Sequence, residues 1–354
     1  MKMKLPNPIV TSAEGLRVVA IGGGTGLSTL LRGLKRHVQP RPLGVQILEL
    51  PAIARLTGIV TVTDDGGSSG RLRKELGVPP PGDIRNCMTA LSDDEELLNQ
   101  LFCYRFSGGG LSGHSFGNLF LTALAGVTGD FSQAVQLSSQ ILKTRGEIFP
   151  AAANSNLQLD ALMHNGKHVV GETKITASRS GIARLKLVPS NARPLPQAIQ
   201  AIREADLITM GPGSLFTSII PNLLVHGVPK AIVQSNAVRV YIGNLMTQPN
   251  ESTGLTASQH MEAIFSHAKC KVFDYALLNF APVPAALRQR YADDNSEPLH
   301  NDLDAIRALG VTPILGDYLD ASHFARHATD RITTDLLKLA VRLHPQQSSN
   351  SPQS

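Results

Sequence analysis

The stretch RVVAIGGGTG, residues 17–26, restricts this chain more than any other. Val18, Val19, Ala20 and Ile21 form a short apolar run bounded by glycine, the pattern of a parallel strand covered on both faces. Leu27, Leu30, Leu31 and Leu34 follow at helical spacing, so the chain passes from strand to helix through Gly22, Gly23, Gly24 and Gly26. A glycine turn of this kind lets a ligand approach the main chain, and the first free N–H groups of the helix favour an anion there. Thr25 adds a hydroxyl. No Gly-Lys-Ser/Thr closes the turn as in a P-loop, and Thr29 stands where a dinucleotide fingerprint carries its third glycine. The turn is read as a phosphate or sugar-phosphate site, against the alternative of a tight connection and nothing more.

The rest of the chain repeats this theme. Residues 58–63 predict the second strand, which ends in Asp64-Asp65-Gly66-Gly67-Ser68-Ser69-Gly70. Paired carboxylates at a strand's C-terminal end suit a hard cation or a ribose hydroxyl, and Arg71, Arg73 and Lys74 behind them suit phosphate. The plainer reading is an acidic turn. Asp83 is the expected N-cap of a helix over 84–91, with Arg85 and Asn86 in its first turn. The acidic start of a helix over 93–106 reads as solvated. A second glycine loop, 108–118, precedes an apolar helix over 119–126 and offers His114 and Asn118 as ligand contacts. Its Ser115 lacks the Gly-x-Ser-x-Gly context of a nucleophile elbow.

A helix is expected over 131–145. Alternation over 157–176 around Asn165-Gly166 predicts a hairpin, and 182–188 a further strand. This excursion, about residues 155–190, is placed at the sheet's edge and read as structural, or as a surface for a homo-oligomer, with no chemistry of its own. A helix over 196–205 and a strand over 206–210 then lead into Gly211-Pro212-Gly213-Ser214, a second strand-to-helix ligand loop in which Ser214 is expected to cap the helix. Residues 230–235 read as another strand, which would place Asn236 at the crevice.

These units imply an α/β chain, as one large domain or two smaller ones, with a mostly parallel sheet flanked by helices and a small antiparallel hairpin excursion. An N-terminal extension, 1–15, and a polar tail, 345–354, expected to be disordered, would flank it. A chain of 354 residues with 42% hydrophobic content can bury such a core. The Pro-containing connection 39–56 reads as a loop or insertion. Three scattered cysteines build neither a disulfide framework nor a Cys-x-x-Cys metal site. The formal charge of +5 is spread along the chain, and with no Trp and 5% aromatics base stacking is poorly supplied, so no nucleic-acid partner is expected. The N-terminus lacks an apolar core of signal-peptide length and no later run is long enough to span a bilayer, which predicts a cytoplasmic protein without membrane insertion.

Taken in order, IGGGTGLS, VTDDGGSSGRLRKEL, PPPGDIRN, LSGHSFGN, GPGSLFTSIIPNLL and NLMTQPNEST resemble the YvcK-type gluconeogenesis factors over about residues 17–330. These are relatives of CofD, the 2-phospho-L-lactate transferase of deazaflavin coenzyme synthesis, and the resemblance implies a single Rossmann-like α/β domain over 16–344. For the YvcK branch the resemblance implies binding of UDP-sugars such as UDP-N-acetylglucosamine, and a role in cell shape and envelope precursor supply during gluconeogenic growth, through a protein effector it does not identify. For CofD it implies Mg²⁺-dependent transfer of a phospholactyl group from a nucleotide diphosphate donor. The acid pair of that site would map onto Asp64 and Asp65, with Asp83 beside them as a catalytic candidate, and the nucleotide loop onto Gly211, Pro212, Gly213 and Ser214. Tyr291 and Arg326 lie in segments similar to the family's UDP-sugar contacts. Mg²⁺ is the one cofactor candidate. A non-enzymatic regulator is the preferred reading and a transferase the alternative; a scaffold would not explain three loops of this kind.

Overall fold

A computed structural model describes residues 15–40, 50–93, 96–153, 156–321 and 324–343. Residues 1–14, the polar tail and the middle of the 39–56 connection lie outside the described residues. Strand β1 (Leu16–Gly22) runs into α1 (Gly24–Lys35), and β2 (Ile53–Val60) into α2 (Gly67–Leu76) and α3 (Gly82–Leu91). Helices α4 (Glu96–Cys103), α5 (Phe116–Thr128) and α6 (Phe131–Ile141) lead to β3 (Glu147–Pro150). The chain then leaves the main sheet for β4 (Gln158–Met163), β5 (His168–Val170), α7 (Glu172–Ala177) and β6 (Ile182–Val188), and returns through α8 (Pro196–Glu204) to β7 (Leu207–Met210). A π-helical turn, Leu215–Ile219, continues as α9 (Ile220–Leu223), followed by α10 (Val228–Gln234), β8 (Val238–Ile242) and α11 (Ala257–Ala268). Next come β9 (Tyr275–Asn279), α12 (Ala285–Ala292), α13 (Leu303–Ala308) and β10 (Thr312–Gly316). The hairpin β11 (Leu319–Ala321) and β12 (Ala325–His327) precedes the closing helix α14 (Thr329–Leu343).

Seven strands pair in the order β10-β9-β8-β7-β1-β2-β3, and every neighbouring pair is parallel. From β1 the chain first extends the sheet through β2 and β3, then crosses to β7 on the other side of β1. The strand order thus reverses between β1 and β7, where diverging loops leave a crevice beyond the strands' C-terminal ends. Val18, Val19, Ala20 and Ile21 are buried, as a central parallel strand requires. Helix α1 buries Leu27, Leu30, Leu31 and Leu34 against it, each contributing about 1.5–3 kcal/mol relative to exposure. Both outer strands carry a proline, Pro150 in β3 and Pro313 in β10. No single helix among the described residues is long and apolar enough to cross a membrane.

The sequence expectations need correcting in several places. The second strand begins at Ile53 rather than 58, because the segment pairs with β1 from Leu16↔Ile53 onward, and it ends at Val60, where β1 itself runs out. The helix expected over 93–106 is shorter, Glu96–Cys103, and that over 131–145 stops at Ile141. The excursion forms a separate sheet, ordered β5-β4-β6, and residues 172–177 are helical. Residues 230–234 are helical too, and Ser235 follows as the extended C-cap of α10. Pro229 sits in the first turn of α10 and only one side of its short apolar run is covered, with Ile232 buried and Val233 exposed.

Candidate functional site

The two glycine loops meet across the switch point. A Cβ on Gly26 would lie 2.2 Å from the Pro212 carbonyl oxygen and 3.0 Å from the Gly213 nitrogen, so only glycine permits this approach. A Cβ on Gly23 would lie 2.5 Å from Thr61 Cγ2 and 2.9 Å from Asp83 Oδ2, which brings the segment after β2 and the first turn of α3 to the same place. Gly24 adopts φ +60° at the turn, and Thr25 is exposed at its tip. The N-termini of α2, α3 and α5 interlock beside it: the Gly82 N–H donates to Ser69 Oγ (3.2 Å), and the Arg85 guanidinium donates to Ser115 Oγ (2.8 Å). Together with α1 they direct the positive ends of four helices toward the crevice, an environment suited to an anion.

Carboxylates line the opposite wall. Asp64 Oδ1 accepts from the Gly66 N–H at 2.9 Å, and Oδ2 faces Gly82. Asp83 is not a side-chain cap. It lies in the first turn of α3, whose N-cap is Pro81, and accepts from the Gly24 N–H of the glycine turn. Burial, and then the charge of Asp64, push its carboxyl up to about 6. Asp65 turns away: its Oδ1 accepts from the N–H (2.8 Å) and hydroxyl (2.7 Å) of Thr173, and its Oδ2 lies against Gly171. The sequence pair is thereby split, Asp64 facing Asp83 while Asp65 anchors α7.

Two acids that the sequence reading passed over complete this wall. Glu172 enters at the start of α7, and burial, then Asp64, Asp83, Glu251 and Asp65 in turn, raise it to about 9. Glu251, only 8% exposed, is raised to about 7 by burial. Its Oε1 accepts from the Thr217 hydroxyl at 3.4 Å, while Oε2 has no hydrogen-bond partner among the described residues. The excursion expected to carry no chemistry therefore supplies Glu172 and Thr173 to the crevice. Glu172 was hidden because its segment had been read as strand; the signal was Gly171, whose φ of +100° ends the strand and starts a helix.

Mg²⁺ usually takes one or two protein carboxylates and completes its shell with waters and ligand phosphates. Asp64 and Asp83 fit that description, since a cation between them would relieve the repulsion that raises Asp83. Among the described residues no set of three or more His, Cys, Asp or Glu side chains is arranged to hold a metal by itself. Ligand oxygens would have to supply the remainder of the shell.

The residues proposed around the glycine loops fall into two groups. Ser68 Oγ lies 2.9 Å from His114 Nδ1 and accepts from Asn118 Nδ2 at 3.1 Å, which buries both predicted residues in one network at the start of α5. Burial, then Arg71, lower the His114 pKa. Arg85 and Asn86 are bonded to each other at 2.5 Å, and Arg85 also to Ser115, so this guanidinium braces α3 against α5. Arg71 donates to the Ser112 carbonyl at 2.6 Å and holds the 108–118 loop from outside.

Ser214 makes no helix-capping bond and instead accepts from the Gln248 amide at 2.6 Å, a departure from the expected cap. Asn236 precedes β8 and so lies at the N-terminal ends of the parallel strands, away from the crevice, because the segment before it is α10 and not a strand. The polar groups that do reach the crevice from β8 follow the strand, beginning with Asn244, whose Oδ1 accepts from Gly213 N–H at 3.5 Å. Tyr291 and Arg326 come together at this end. The Tyr291 hydroxyl accepts from Ala325 N–H at 3.1 Å, and the neighbouring His327 donates from Nε2 to the Gly243 carbonyl at 3.0 Å, seating β12 on the end of β8. A cavity of about 420 Å³ opens alongside, lined by Asn244, Leu245, Asn279, Phe280, Val283 and His300 among others.

Comparison with known proteins matches this architecture. The family model described as 2-phospho-L-lactate transferase CofD matches residues 18–319, and the chain belongs to that family. A protein named "Gluconeogenesis factor" from Halalkalibacterium halodurans is 45% identical over 324 residues, covering 91% of this chain and 95% of the relative. The "Gluconeogenesis factor" of Bacillus subtilis is 43% identical over 327 residues, covering 91% and 98%. A crystal structure of a member of the UPF0052 family from Bacillus halodurans superposes with a TM-score of 0.85 at 44% identity, covering 91% of this chain and 99% of the other.

Proposed function

We propose that this protein binds a UDP-sugar of the UDP-N-acetylglucosamine type across the switch-point crevice and acts as a regulator without consuming it. The observation that carries this reading is the direct packing of the 23–26 turn on the 211–214 loop, where the N-terminus of α1 faces the acid wall. The diphosphate lies against the two loops, and Asp64 and Asp83 would hold Mg²⁺, which would supply positive charge to the phosphate oxygens. Tyr291 offers an apolar face to the uracil or sugar, and Arg326 a bidentate donor to phosphate. The relatives' name supports a role in gluconeogenic growth. A cytoplasmic location, an action on cell shape and envelope precursor supply through a protein effector, and self-association of the chain belong to the same proposal. Calorimetric titration of the purified protein with UDP-N-acetylglucosamine, with and without Mg²⁺, tests it. Saturable binding without loss of ligand in the phosphorus NMR spectrum is the expected result.

One observation favours a second reading, a Mg²⁺-dependent transferase. Asp83 and Glu251 are raised to about 6 and about 7 in the same cleft, where a carboxylate that is still ionised near neutral pH is basic enough to accept a proton from an attacking hydroxyl, whereas Glu172, at about 9, holds its own proton. Product in stoichiometric excess over protein, from UDP-N-acetylglucosamine or from the transferase's own substrates, would replace the regulator reading with this one.

A further inference from the structure

Gln248, in the turn after β8, has both ends of its amide engaged by the 211–214 loop and the residue that follows it. Its Oε1 accepts from the Leu215 N–H at 3.0 Å and its Nε2 donates to Ser214 Oγ at 2.6 Å. A backbone N–H can only donate, so the oxygen must face Leu215 and the NH₂ must face Ser214; this amide cannot be flipped. A hydroxyl that receives a hydrogen bond on a lone pair retains its own hydrogen for another acceptor. Ser214 is partly exposed between buried Pro212 and buried Leu215, and it caps no helix N–H.

We propose that Gln248 is a positioning residue that fixes the polarity of the Ser214 hydroxyl, so that the loop presents an O–H donor to a phosphate oxygen of the ligand. The surrounding turn holds Gln248 in place. Its own N–H donates to Ser252 Oγ at 2.9 Å, the adjacent Thr247 N–H donates to the Glu297 carbonyl at 2.7 Å, and Glu251 accepts from Thr217 beyond the loop. The inference rests on the UDP-sugar reading and adds the device by which the loop selects an acceptor oxygen. It also gives a role to Gln248 within the segment that carries Glu251.

Gln248→Glu keeps the shape and can keep both hydrogen bonds, but its carboxylate only accepts. Ser214 must then donate to it, and only lone pairs are left for the ligand. Calorimetry with inorganic pyrophosphate and with UDP-N-acetylglucosamine, on wild type, Q248E, S214A and the double variant, reads the effect. The expected result is a loss of about tenfold or more for each single variant, with little further loss when Q248E is added to S214A. Charge repulsion alone predicts the same Q248E loss with or without the hydroxyl, so an additive cycle overturns the proposal. Wild-type affinity in S214A also overturns it, whatever the stability of Q248E. A folded wild type that fails to bind pyrophosphate does so too, even if UDP-N-acetylglucosamine binds. A coupled cycle with pyrophosphate and no binding of UDP-N-acetylglucosamine instead leaves the inference standing and removes the UDP-sugar reading.

Discussion

Gly26→Ala is the sharpest test of the contact between the two loops. The added methyl would sit 2.2 Å from the Pro212 carbonyl oxygen and 2.7 Å from its carbon, both backbone atoms that no rotamer change can move. Restoring ordinary contact requires the loops to part by about 1 Å, and overpacking of this kind costs about 1–3 kcal/mol. Gly26 lies inside α1, so replacing glycine by alanine returns up to about 1 kcal/mol of helix propensity, leaving a net loss of about 0–2 kcal/mol. Ligand binding should suffer more, because a displacement of about 1 Å in a site that positions a charged group can cost about 100-fold. Gly126→Ala in α5 is the control: nothing lies within 4 Å of its added methyl, so it should gain about 0.5–1 kcal/mol and leave binding unchanged. Urea unfolding measures the first quantity and titration with UDP-N-acetylglucosamine the second. If Gly26→Ala matches Gly126→Ala in both, the two loops do not form one closely packed site.

Glu172 holds its proton in the folded state up to about 9, whereas an unfolded glutamate loses it near 4.3, so stability attributable to this group falls as pH rises through that interval. Glu172→Gln should flatten the dependence of the melting temperature on pH between 5 and 9; an unchanged slope would mean that Glu172 is ionised in the fold. Asp65→Ala removes both hydrogen bonds to Thr173 and should cost about 1–2 kcal/mol, with faster deuterium exchange at the Thr173 amide, while Asp65→Asn retains an acceptor and loses less. Arg326→Ala should weaken UDP-N-acetylglucosamine binding with the melting temperature unaltered, and equal affinity would remove this residue from the site.

The parts of the fold that were legible in the sequence are those whose pattern is local. Residues 18–21 are mostly β-branched and end in a run of glycines, which favours a strand, and the leucine spacing after Gly26 favours a helix, so β1, α1 and the turn between them were readable. Residues 230–235 were not, since a short apolar run serves a buried strand or one face of a helix equally well, and the choice was made by packing. The same limit applied to the site. Glycine loops announce themselves, whereas Glu172 and Glu251 reach the acid wall only because a separate small sheet and a distant turn fold over β2's end. The adjacent pair Asp64 and Asp65 looked like one unit, yet successive residues leaving a strand point in different directions, and the pair was divided between two jobs.

The two outer strands set a limit on how copies of this chain can associate. In β3 the Ala151 N–H points inward to the Val60 carbonyl, and in β10 the Thr312 N–H points inward to the Asp274 carbonyl. Neighbouring residues along a strand face alternate sides, so the nitrogens of Pro150 and Pro313 are turned outward, where a docking strand would look for a donor. Each flank of the sheet is thus missing one rung of any intermolecular ladder. A dimer built by joining sheets into a continuous fourteen-stranded ribbon is disfavoured at both flanks. Replacing either proline with valine would complete the row of donors and convert that flank into an adhesive one.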